Sequence, residues 1–270
     1  MIDINNIKIN NLDPYEILVL FPIKKAQLLI SEIHKMRPNN ENIDFLIHVG
    51  ANLRWQDPEH YNWTVLHHAI ERKNIAIVKI LIEKGSDLNQ ESSCWTPLQL
   101  AVNLKQNEIA QYLIDSGANL NAKDQCGHTA LHICSIVNNH SMAKKLIDSG
   151  ADINIIDNNY QSPLHLCAAL NRPKICSYLV NAGANLNELD FRMNTPLHIS
   201  VLEGHKSIVK LLIEAKANLN ILDGFGNSAL FQTLKHNHKD VWELLIESGA
   251  EYIAEGKLLK LVSNKELIIQ

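Results

Sequence analysis

Asn194–Asn220 reads NTPLHISVLEGHKSIVKLLIEAKANLN. Thr195 is a side-chain cap for a helix start, and Pro196 suits the first helical position, where a missing N–H leaves nothing unpaired. Two short apolar-periodic stretches follow, and a small-residue turn ends them. Aligning Thr/Ser-x-Leu along the chain returns Thr64, Thr96, Thr129, Ser162, Thr195 and Ser228, spaced by 32 residues once and 33 thereafter. The turn recurs too: Gly50, Gly85, Gly117, Gly150, Gly183 and Gly249 each head a G-A/S stretch, with Lys216 in the glycine's place once. Leu66, Leu98, Leu131, Leu164, Leu197 and Leu230 are the matching core leucines. A pair of helices this short cannot bury its apolar faces alone, so the period implies stacked units.

With T-P-L-H or a near variant in register six times, the chain resembles the ankyrin repeat family over nearly its whole length. It is similar to stand-alone ankyrin proteins of intracellular bacteria or large viruses, and its Asn, Ile and Lys usage suits an AT-rich genome. The resemblance implies an all-α ankyrin-repeat solenoid of helix–turn–helix units joined by short hairpin loops. Residues 1–61 are expected to be an N-terminal extension and degenerate capping repeat, 62–253 six repeats, and 254–270 a C-terminal helical cap. In the first segment Asp13-Pro14 reads as a helix start, residues 1–11 as loosely attached, and Ile23, Ala26, Leu29, Ile30 and Ile33 as one apolar helix face. Lys216 should carry strain or a local adjustment. Tyr160 and Met193, where the family has a turn glycine, should distort their turns or present their side chains.

A net charge of −4 carries no basic footprint, so no nucleic-acid partner is expected. No apolar run reaches the length of a membrane span, and MIDINNIKIN does not read as a secretory signal. Five cysteines form an odd set without C-x-x-C. Cys134 and Cys167 share one repeat position; helices in adjacent repeats lie about 8–10 Å apart, too far for a bridge limited to about 7 Å between Cα atoms. The cysteines read as small buried apolar residues in a reducing compartment.

Thirteen histidines raise the question of a metal. His67, His132, His165 and His198 are the H of T-P-L-H, which the resemblance assigns to ties between repeats; His67-His68 is mere adjacency. His128 precedes the capping Thr129, so it shares no helix face with His132. No metal, cofactor or catalytic set is expected, and the protein reads as a non-enzyme. What remains is surface. In relatives the partner docks on the concave face of hairpin tips and first-helix ends. There this chain places Leu104, Ile136, Val137, Leu170, Leu202 and Glu203, with Phe191, Arg192 and Phe225 at the tips and Trp95 beside a capping threonine. An apolar stripe with a polar rim is the anatomy of a protein interface.

The function expected is binding of a partner protein, a host protein if the chain is an effector in the host cytosol, by a cytoplasmic monomer. The rivals are a self-associating scaffold, or an enzyme or enzyme regulator with a cryptic site on the caps. Leu267 and Ile268 would suit a C-terminal export signal. The resemblance further implies that turn asparagines Asn121, Asn154, Asn187 and Asn220 can be β-hydroxylated.

Overall fold

The local rule that starts each regular repeat is visible in its hydrogen bonds. At Thr96, Ser162 and Thr195 the hydroxyl accepts the N–H of the residue three positions on, at 3.3–3.4 Å. That residue's side chain accepts the capping residue's own N–H in return, forming a capping box. The computed structural model describes residues 9, 12, 14–236, 238–262 and 266–269; the side chains of 15, 235, 259–262 and 266–269 lie outside what is described. The expected Asp13 cap and, apart from Ile9 and Leu12, the start of the chain lie outside the described residues as well.

Two units divide the chain, residues 1–125 and 126–270. The first unit holds α1 (Pro14–Leu18), α2 (Pro22–Ile33), α3 (Asn40–His48), α4 (Val65–Glu71), α5 (Ile75–Glu83), α6 (Pro97–Asn103) and α7 (Asn107–Asp115). Helices pair as α2–α3, α4–α5 and α6–α7, while α2, α4 and α6 stack in sequence. Ala26, Leu29 and Ile33 are buried as their spacing requires, but Ile23 is half exposed and Ile30 only partly covered. Lys25 is buried instead, its Nζ donating to the carbonyls of Leu18 (3.1 Å) and Val49 (2.7 Å), which closes two helix ends at once.

The second unit holds α8 (Ala130–Val137), α9 (His140–Asp148), α10 (Pro163–Ala169), α11 (Pro173–Asn181), α12 (Pro196–Leu202), α13 (Lys206–Glu214), α14 (Ala229–His236) and α15 (Lys239–Glu247). The first helices α8, α10, α12 and α14 stack, and the second helices α9, α11, α13 and α15 stack beside them. Each second helix buries residues at the same register: Met142/Ala143/Leu146, Ile175/Cys176/Leu179, Ile208/Val209/Leu212 and Val241/Leu245. Each fully buried Leu or Ile contributes about 1.5–3 kcal/mol, which outweighs any propensity of helices this short.

Two expectations need correction. The segment after α15 is not a helical cap but a three-stranded antiparallel sheet, β1 (Ile253–Ala254), β2 (Lys257–Val262) and β3 (Glu266–Ile269). Glu255 and Gly256 are both left-handed, at φ 50° and 74°, the signature of a two-residue hairpin turn that redirects the chain before a helix can start. β1 then covers the last repeat's hairpin: Ser228 N–H donates to Ile253 O (2.9 Å) and Gly256 N–H to Gly226 O (2.8 Å). The other correction concerns the thiols. Cys167 and Cys176 are disulfide-bonded, with Cα atoms 5.7 Å apart. The distance argument excluded pairs between repeats, whereas this bridge joins α10 and α11 within one. Cys94, Cys126 and Cys134 are not disulfide-bonded, and burial pushes the Cys134 thiol upward.

Lys216 takes the glycine conformation, φ 67°, so the expected strain is met by a left-handed lysine and not by a rearranged turn. Tyr160 and Met193 likewise sit at φ 60° and present exposed side chains.

Candidate functional site

Four buried histidines and one glutamine hold the hairpins to the helices. Thr129, Ser162 and Thr195 donate their N–H groups to Nδ1 of His132, His165 and His198, at 3.1, 3.1 and 3.3 Å. Nδ1 is thereby an acceptor, so Nε2 carries the proton and donates to the carbonyl of the next hairpin: Gln161 (3.0 Å), Asn194 (3.2 Å) and Asn227 (3.4 Å). In the first unit His67 reaches Trp95 O at 3.0 Å, and Gln99 donates to Ala122 O at 2.8 Å in the same way. Burial lowers the pKa of His67 to about 4 and depresses His165 and His198, which keeps these rings neutral.

In the second unit the hairpin tips form a ladder. Phe191 N–H donates to Asn159 O (3.1 Å) and Gly224 N–H to Arg192 O (3.0 Å). A Cβ on Gly224 would come within 2.8 Å of that same Arg192 carbonyl, so the residue must be glycine for the tips to approach. Phe225 is 79% exposed, and the Arg192 guanidinium lies 5.1 Å from the Phe191 ring centroid. Beside the tips, Ile136, Leu170 and Leu202 are 40%, 38% and 36% exposed, with Val137 half-buried and Glu203 exposed. In the first unit Leu104 and Trp95 are half-buried, and the Trp95 carbonyl takes the His67 tie.

Sequence reasoning missed a set of donors at the C-terminal ends of the first helices. Arg172 Nε donates to Ser135 O (3.3 Å), His205 to Ala168 O (2.9 Å) and His238 to Leu202 O (3.2 Å), closing α8, α10 and α12. The signal was there: each stands ten residues after a capping Thr or Ser position. The turn asparagines have a similar duty. Oδ1 of Asn154, Asn187 and Asn220 accepts the N–H of Asn185, Asn218 and Glu251 in the following turn, each at 2.9 Å.

The family model for ankyrin repeats (3 copies) matches residues 33–124, 117–190 and 185–255. The chain belongs to the ankyrin repeat family. Ankyrin repeats are protein–protein interaction modules, and typically not enzymes. No curated protein matches the chain. No helix among the described residues is long and apolar enough to cross a membrane.

One ankyrin unit departs from the rest. Between Asp57 and Thr64 the hairpin is two residues longer than between Asp157 and Ser162 or Asp190 and Thr195. Asp57 accepts from His60 Nδ1 at 2.8 Å and stands 3.4 Å from His68 Nε2, while His34 Nε2 meets His68 Nδ1 at 3.0 Å. The rings of His34, His60 and Trp63 surround His68 at 5.1–5.4 Å in edge-to-face arrangements. Burial, then the neighbouring His34, lowers His68 to a pKa of about 4, and burial lowers His34. His68, read from the sequence as an accident of adjacency, is thus the centre of a polar cluster. In the second unit His128 does come near His132, with ring centroids 5.7 Å apart, but His132 is committed to its tie.

Proposed function

We propose that this ankyrin protein is a non-enzymatic module that captures a partner protein on the first-helix face of its second unit, the side that family members present as concave. One observation carries the reading: Ile136, Leu170 and Leu202 recur at the end of successive first helices and keep more than a third of their surface in water. Core leucines of the same helices are wholly buried, so stacking alone does not account for them. Phe191, Arg192 and Phe225 are of the residue types that anchor interfaces. The backbone ladder between tips supports binding by a preformed surface, which loses little conformational entropy on docking. Leu104 and Trp95 belong to the proposal only as the corresponding positions of the first unit.

The test compares wild type with Ile136→Asp/Leu170→Asp in affinity capture from eukaryotic cell lysate. A protein held by wild type and lost by the folded double variant would support the reading; equal capture by both would refute it. A wild type that light scattering finds dimeric, and a variant found monomeric, would favour the self-associating scaffold.

The reading extends to an effector acting on host proteins in the host cytosol, supported by the AT-rich-genome residue usage alone. Leu267 and Ile268 lie in β3, and their side chains are outside the described residues. Undiminished transfer of a reporter fusion lacking the last residues would remove a C-terminal signal from the proposal.

A further inference from the structure

Position 68 is apolar in four of the five other repeats, where Leu100, Ile133, Leu166 and Ile199 stand at the equivalent place after their capping residues; the last repeat has Gln232, whose amide donates to Asp223 Oδ2 at 3.0 Å. Here it is a histidine with no accessible surface, and its Nε2 has no hydrogen-bond partner among the described residues. An orphaned buried polar atom costs about 1–3 kcal/mol, and no tie between repeats needs it, because the neighbouring His67 makes that bond. The only hairpin with two extra residues is the one beside it, and those residues bring His60 to the same point. Asp57 Oδ2, His60 Nδ1 and His68 Nε2 all lie within 4.8 Å of one another.

We propose that Asp57, His60 and His68 form a binding site for a divalent transition-metal cation, with Zn²⁺ as the representative ion. Two imidazoles and one carboxylate are a donor set of the borderline type that such ions favour over Ca²⁺ or Mg²⁺. Ligands about 2.0–2.2 Å from a tetrahedral Zn²⁺ stand about 3.3 Å apart. The Asp57–His68 separation of 3.4 Å already matches, and the Asp57–His60 hydrogen bond of 2.8 Å has to open by about half an ångström. His60 is on the exposed hairpin and its ring is half in solvent, so the adjustment falls on the mobile member.

The surroundings complete the case. Where His68 Nε2 gives its lone pair to the ion, Nδ1 carries the proton and donates to His34 Nε2 at 3.0 Å, the outer-shell bond that fixes tautomer and ring plane at a ligating histidine. Trp63 packs edge-on against the ring, and a cleft of about 260 Å³ lined by Gln27, Ile30, Trp55, Asp57, Pro58 and Glu59 opens beside the carboxylate. Water from that side supplies the fourth ligand. The bound ion would pin the long hairpin to α4.

The experiment titrates the EDTA-stripped full chain with ZnCl₂ by calorimetry, and with CoCl₂ by visible absorption, since tetrahedral Co²⁺ absorbs far more strongly than hexa-aqua Co²⁺. Wild type should bind one ion per chain and rise in Tm. His60→Gln, on the exposed loop, and His68→Leu, which installs the leucine found at Leu100 and Leu166, should each weaken binding by at least about 100-fold. His34→Phe should weaken it about 10–100-fold without abolishing it. Equal Zn²⁺ affinity in wild type and His60→Gln, or millimolar binding alone with no tetrahedral Co²⁺ spectrum, would overturn the site. Should His68→Leu fail to fold, His60→Gln decides the matter unaided.

Discussion

The hairpin at Asp57–Trp63 and the one at Asp190–Asn194 are built on the same aspartate yet do different things with it. In the regular hairpin Asp190 Oδ1 accepts the N–H groups of Arg192 and Asn194, at 2.9 and 2.8 Å, and the turn closes on itself. In the long hairpin Asp57 Oδ1 accepts only Glu59 N–H at 3.0 Å, and the turn goes on through two left-handed residues, Tyr61 and Asn62. Asp57 Oδ2 is left facing imidazoles. The following helices repeat the contrast: the buried residue in register is the apolar Ile199 in one, whereas in the other it is His68, packed among rings. Two extra residues and one Ile-to-His difference turn a structural aspartate into a polar centre.

That contrast separates histidines that hold the ankyrin stack from one that does not, and it can be broken by experiment. The largest effect is expected from His198→Leu. It strands the buried Thr195 N–H and the Asn227 carbonyl, so urea unfolding should show a loss of about 3 kcal/mol, at about 1–3 kcal/mol for each group left unpaired. A loss under 1 kcal/mol would mean the tie is replaced by water and is not structural.

Acid comes next. His67 has a folded pKa of about 4, lowered by burial from 6.5, so between those values the unfolded chain binds the extra proton. The stability from keeping this ring neutral is full above about pH 6.5 and is lost as pH falls toward 4. His165 and His198 shift the same way. At pH 5 His67 alone should remove about 2 kcal/mol, from 1.36 kcal/mol per pH unit. Tm measured at pH 7.5 and pH 5 checks this, and an unchanged Tm would contradict neutral buried rings.

His68→Leu should behave oppositely to His198→Leu. In EDTA it removes the unpartnered Nε2 and should stabilise by about 1 kcal/mol; destabilisation comparable to that of His198→Leu would erase the distinction between the two histidines. The smallest effect is expected at the surface. Ile136→Asp/Leu170→Asp should change stability by no more than about 0.5 kcal/mol per site, measured by the same unfolding series. A collapse of the circular dichroism spectrum would make these residues core and withdraw the proposed face.

The ankyrin pattern was legible because it depends on near-neighbour chemistry. A capping Thr or Ser, a proline at the helix start, a core leucine two residues on and a left-handed turn residue act within a few positions, and the 33-residue period repeats them. Even the exceptions obeyed local rules, as Lys216, Tyr160 and Met193 show by adopting the glycine conformation. The C-terminal strands escaped because Leu258, Leu259, Leu261 and Val262 fit a helix or a strand equally well. The Glu255-Gly256 turn and the exposed edge of the last hairpin made the choice. The sulfur bridge escaped because Cys167 and Cys176 belong to different helices, and their distance is a matter of how those helices pack.

By itself the sequence determined the repeat and its helix pairs, since each is written in short-range spacing, and the family resemblance implied the histidine ties. Only the tertiary structure decided which residues meet across elements: Lys25 with two helix ends, Cys167 with Cys176, and His34 and Asp57 with His68. Residue 34 caps α2 and residue 68 lies in α4 of the next repeat, and a period of 33 encodes that such helices are neighbours but not which side chains point at one another. That is fixed by side-chain direction and by where a longer hairpin can fold back, which are properties of packing in three dimensions.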